Sequence, residues 1–120
     1  MPHLILEHSA ELSDTHDIGA VVNDLFETAA NSGLFGRQDI RARSVACDNT
    51  VSGAAKPGFA HVTLRLLDGR PDAAKKEITE ALLDVLLKHM PEVGALSVAP
   101  EDILRNTYAR RVIHKGNDNG

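Results

Sequence analysis

The stretch with the most chemical promise is the first one, MPHLILEHS, in which a proline stands directly behind the initiator methionine. Within a chain, a proline nitrogen is a tertiary amide with no proton and no basicity. Removal of Met1 would turn Pro2 into a free secondary amine, a base that can take up a proton and return it. An unperturbed α-amino group titrates near pH 8, so such a base would be mostly protonated at neutral pH unless its surroundings lowered its pKa. Burial in an apolar pocket or neighbouring guanidinium groups would do so, because both disfavour the ammonium form.

The other reactive side chains offer less. His3, His8 and His61 show no helical HxxxH or comparable ligand spacing, so no metal site is expected from them. Cys47 is the only cysteine, which rules out an internal disulfide and a Cys-rich metal site, and no triad surrounds it in the sequence. The basic run YARRVIHK (108–115) stands on a chain of net charge -4 and is expected to lie on a solvated or subunit-contact surface. That net charge argues against general affinity for nucleic acid or anionic membranes.

A terminal base needs elements to hold it. His3, Ile5 and Glu7 alternate with Leu4, Leu6 and His8, the period of a strand. Ile18, Val21, Val22, Leu25, Phe26, Ala29 and Ala30 then recur at helical spacing, with Asp14 or Asp17 as cap and Gly33 as terminator. DIRARSVA (39–46) reads as a second strand, with Arg41, Arg43 and Val45 on one side and Ile40, Ala42 and Ser44 on the other. The turn-forming stretch CDNTVSGAAKPG separates this half from FAHVTLRLL, a central-strand composition. A helix follows with Ile78, Leu82, Leu83, Val85 and Leu86 on its apolar positions, Pro71 in its first turn and Pro91 stopping it. ALSVA (95–99) closes the pattern as a short strand.

The fold class expected is therefore α+β in two layers: two βαβ units, about 2–47 and 58–100, forming a four-stranded mixed sheet with two helices on one face. A single domain over 1–120 accommodates them, with 101–120 as a C-terminal segment. At 42% hydrophobic and 25% charged residues the composition is that of a soluble domain, one that buries roughly two thirds of its unfolded surface. The apolar content of Leu4, Leu6, Val62, Leu64 and Leu66 suggests that the open sheet face also needs cover, which a partner subunit would supply. No signal peptide or apolar run of about 20 residues is evident, so a cytoplasmic location is expected.

In this order, MPHLILEHS, the GLFG turn (33–36), DIRARSV, GFAHVTLRLLDGR (58–70), a long helix and ALSVAPEDI resemble the 5-carboxymethyl-2-hydroxymuconate isomerases of the tautomerase superfamily. The likeness covers nearly the whole length except about the last dozen residues. It implies a tautomerase-like homotrimer and a cofactor-free isomerase acting in homoprotocatechuate catabolism on a small anionic di- or tricarboxylate, with an amino-terminal proline as acid–base catalyst. Carried over by position, that proline is Pro2, a catalytic arginine is Arg41, and a substrate-binding arginine is Arg70. Arginine suits both tasks, since its fork grips carboxylates and does not lose its proton. Arg43 shares a strand face with Arg41 and is the nearest substitute for it. The segment between Cys47 and Gly58 is shorter than in close relatives and lacks their aromatic residues, so substrate identity is less constrained than reaction type. Phenylpyruvate-type tautomerisation, dehalogenation and a non-catalytic trimer that binds a carboxylate or a protein are the alternatives.

Overall fold

A computed structural model describes residues 1–115; residues 116–120 of the C-terminal segment lie outside the described residues. Strand β1 (His3–Ser9) buries every second side chain, Leu4, Leu6 and His8, as its alternation requires. Helix α1 (Ile18–Ala30) follows, capped by Asp17, whose Oδ1 accepts from the Ala20 N–H at 3.1 Å. Val21, Leu25 and Ala29 form its buried stripe. Gly33 does not itself end the helix; at φ 81° it shapes the turn beyond it.

Strand β2 (Arg41–Cys47) then pairs parallel with β1, completing the first βαβ unit. Strand β3 (Phe59–Leu67), helix α2 (Asp72–His89) and strand β4 (Ala95–Ile103) build the second unit, with β3 and β4 parallel. Pro71 stands just before α2 rather than inside its first turn. The two units join through antiparallel β1 and β3, giving one mixed sheet in the order β2-β1-β3-β4.

Two expectations need correction. ALSVA is only the beginning of β4, which continues past Pro100 to Ile103. As an edge strand it tolerates a residue without an N–H, and so Pro100 does not stop it. The apolar residues thought to need a partner subunit are also already covered. The β1–β3 register sets Leu4 opposite Leu64 and Leu6 opposite Val62, so these residues and Leu66 share one sheet face. All five are at most 1% exposed beneath the helices. The opposite face mixes Ile5, Val45 and Thr63 with polar groups: Arg43 Nη1 donates to His3 Nδ1 at 2.9 Å, and Arg65 pairs with Glu101 at 3.4 Å. Among the described residues, no helix is long and apolar enough to cross a membrane.

Candidate active site

Parallel pairing of β1 and β2 brings the start of the chain against the residues that lead into β2. The Arg41 N–H donates to the Pro2 carbonyl at 3.0 Å, extending the ladder one step beyond the His3–Arg41 pair. Pro2 is less than 2% exposed. Its nitrogen is here the tertiary amide of the Met1–Pro2 bond, and the free amine is that of Met1. This amine donates to the Asp39 carbonyl at 2.7 Å.

Arg41 begins the edge strand with its side chain exposed, and its Nη1 donates to the carbonyls of Gln38 and Ile40, both at 3.0 Å. The bonds hold one end of the guanidinium over the turn that leads into β2. Arg70 arrives from the other unit. Gly69, at φ 106°, takes up the left-handed backbone that turns the chain after β3. Arg70 Nη1 then donates to the Leu67 carbonyl at 3.2 Å, and Nη2 reaches across to the Leu34 carbonyl at 3.0 Å. Its guanidinium lies 4.8 Å from the centre of the Phe35 ring, so the GLFG turn after α1 serves as its seat.

The structure thus sets Arg41 beside Pro2 by a direct backbone bond, and the Arg70 charge acts on the same terminus through space. The Met1 amine is held below its ordinary pKa, chiefly because it is buried; Asp39 opposes this, and the charges of Arg110, Arg41 and Arg70 reinforce it. Arg43 lies two residues further along the same strand face, where it bonds His3. The His3 imidazole is itself pushed down by burial, then by Arg43 and the terminal amine, which favours its neutral form. His8 is buried against the Ser9 carbonyl, and His61 pairs with Ser97 Oγ at 2.7 Å.

Sequence reasoning missed Asp39 and Arg110. Arg110 Nη1 donates to Asp39 Oδ1 at 2.9 Å, and His114 Nε2 lies 3.9 Å from the same oxygen. The basic run was visible, but its partner lies in the turn before β2, and no local spacing connects them. The same segment borders a cleft of about 500 Å³ lined by Phe26, Arg37, Ile40, Arg41, Ile113 and Lys115. Pro2 and Arg70 do not line it. A smaller cavity of about 170 Å³ between the helices, bordered by Thr28, Glu77 and Ile78, contains none of the site residues.

A family model described as 5-carboxymethyl-2-hydroxymuconate isomerase matches residues 2–99. The chain belongs to this family. It is similar to the crystal structure of a 5-carboxymethyl-2-hydroxymuconate isomerase from Deinococcus radiodurans R1, with a TM-score of 0.80 and 26% identity over 93% of this chain and 90% of that one. A structure of 5-carboxymethyl-2-hydroxymuconate delta-isomerase gives a TM-score of 0.76 at 18% identity, over 92% of this chain and 87% of that one. A fused 4-OT symmetric trimer gives a TM-score of 0.76 at 13% identity, over 91% and 93%, a likeness of fold alone. No curated protein matches the sequence. Family membership supports an isomerase, and the fold is the one shared with the 4-OT trimer.

Proposed function

We propose that this isomerase acts through the amine of Pro2, freed by removal of Met1, and converts 5-carboxymethyl-2-hydroxymuconate to its β,γ-unsaturated 2-oxo isomer in the breakdown of homoprotocatechuate. The observation that carries this reading is a buried Pro2 bonded through its carbonyl to the Arg41 N–H, beside a terminal amine whose pKa burial lowers against the pull of Asp39. Such surroundings would lower the pKa of a prolyl amine and so favour its unprotonated form. The base takes the proton of the dienol hydroxyl, electron density moves along the conjugated system, and the same nitrogen returns a proton to carbon. Nothing is oxidised or reduced, and no cofactor is required.

Arg41, bonded through its backbone to Pro2, stabilises the negative charge as it moves through the conjugated system. Arg70, anchored by two backbone carbonyls and Phe35, holds a remote carboxylate. The test is an ultraviolet assay on 5-carboxymethyl-2-hydroxymuconate, using protein whose intact mass shows that Met1 is absent. Loss of the dienol absorbance above the uncatalysed rate is expected. Turnover of phenylpyruvate enol instead, or of neither compound, would refute the substrate assignment.

We further propose a homotrimer in which the open sheet face, with Ile5 and Val45, is turned inward. The likeness to a 4-OT trimer supports this, as does an exposed Val45 on the edge strand. Light scattering on a size-exclusion column should give about three times the 12.9 kDa chain mass. A monodisperse monomer at micromolar concentration would contradict it.

A further inference from the structure

We propose that Arg110 is a positioning residue for the terminal base, acting by neutralising the carboxylate of Asp39. This inference rests on the reading of the terminal amine as the base. Asp39 enters the site twice. Its carbonyl accepts from the Met1 amine at 2.7 Å, and its carboxylate, on the same residue, accepts from Arg110 at 2.9 Å. Removal of Met1 moves the amine one residue inward, to Pro2, whose carbonyl is bonded by Arg41, two residues from Asp39.

An unmatched carboxylate here would do two kinds of harm. It would favour the protonated, inactive amine, and it would repel an anionic substrate approaching Arg41 and Arg70. Among the described residues, the charges acting on the Met1 amine, one residue before Pro2, are Asp39 on one side and Arg110, Arg41 and Arg70 on the other. His3, next in the chain, feels the amine in turn, and His114 stands near Asp39. Asp39 is thus the one anion in this set, and Arg110 is the cation bonded to it.

After β4 a short turn at Arg105–Thr107 is tied to Asp68, where the Arg105 N–H donates to Oδ1 at 3.3 Å and Nη2 donates to the carbonyl at 3.1 Å. The segment then returns to the mouth of the first unit, where Ile113 and Lys115 share the cleft wall with Arg41. Arg110 and His114 lie beyond the residues matched by the family model, which end at 99, so this brace belongs to the part of the chain outside that match.

The test compares Arg110→Gln, Arg110→Lys, Asp39→Asn and the double variant Arg110→Gln/Asp39→Asn. All are measured as Met1-free protein with the oligomeric state checked. Two readouts are taken against pH: kcat/KM on 5-carboxymethyl-2-hydroxymuconate, and titration of the amine by NMR of labelled proline. Arg110→Gln should lower kcat/KM on the acid limb about threefold to tenfold and move the amine titration upward. Arg110→Lys should recover most of this. Asp39→Asn should raise acid-limb activity, and the double variant should match it, because the charge that Arg110 offsets is then gone. An amine that tracks wild-type kcat/KM but ignores Arg110→Gln would overturn the proposal alone, as would a double variant as impaired as Arg110→Gln. A wild-type amine whose titration does not track kcat/KM would overturn the base itself, and this proposal with it.

Discussion

Protein that keeps Met1, or carries any uncleaved residue ahead of it, is expected to fold and assemble normally yet lose about a hundredfold or more in kcat/KM. That is the range an effective general acid–base catalyst contributes. The physical reason lies in the nitrogen. With Met1 attached, Pro2 has neither a proton nor a basic lone pair, and the amine that remains is displaced by a residue and already bonded to the Asp39 carbonyl. Pro57 is the internal control. It precedes β3 much as Pro2 precedes β1, but its nitrogen is an amide in every form of the chain, and its side chain is exposed. Pro57→Ala should therefore leave turnover nearly unchanged. Pro2→Ala should be impaired without being inert, since a processed alanine still presents a primary amine, of different basicity and with a less fixed orientation. The sign of the pH dependence follows from the surroundings. At the Met1 amine, burial and the three guanidinium groups disfavour the ammonium form more than Asp39 favours it; the Pro2 amine, one residue on, is expected to share these surroundings and to lose its proton at a lower pH than an ordinary prolyl amine. The rising limb of kcat/KM should reflect this. Full activity in a mass-verified, blocked protein would remove Pro2 from the mechanism.

The two βαβ units were legible in the sequence because their signals are local. Period-two alternation in LILEH and helical spacing from Ile18 to Ala30 each depend on neighbours a few residues away. Less accessible was anything that depends on register. Leu4 and Leu64 are both apolar strand residues, but only their pairing shows that they share a face and that one layer of helices covers both. The last strand was expected to end with ALSVA, and only its place at the sheet edge shows why it can run on through Pro100. The site divides in the same way. Pro2 announces itself by position in the chain, and Arg41 and Arg70 were placed by resemblance. The Asp39–Arg110 pair joins segments with no shared pattern, so composition and spacing are silent about it.

The arginines should separate by kinetic signature. Arg41→Ala is expected to lower kcat by about a hundredfold with a smaller change in KM, the loss found when one donor to developing negative charge is removed. Its backbone N–H bond to Pro2 survives the substitution, and among the described residues its side chain donates only to two carbonyls of its own turn, so the strand pairing should persist. Arg70→Ala should instead raise KM about tenfold and spare kcat, as expected for a grip equally strong in ground and transition states. Arg70 also ties the Leu34 carbonyl to the end of β3 and covers Phe35, so the alanine variant alone would confound binding with a loosened turn. Arg70→Lys resolves this. It keeps the charge but lacks the planar fork that serves two carbonyls and a carboxylate together, so it should recover only part of the affinity. A monocarboxylate analogue sharpens the comparison, because losing the remote carboxylate from the substrate should erase the difference between wild type and Arg70→Ala while leaving the Arg41→Ala defect intact. Equal defects on both substrates would mean that Arg70 does not bind the remote carboxylate, and wild-type kinetics in both alanine variants would remove the anionic pocket altogether.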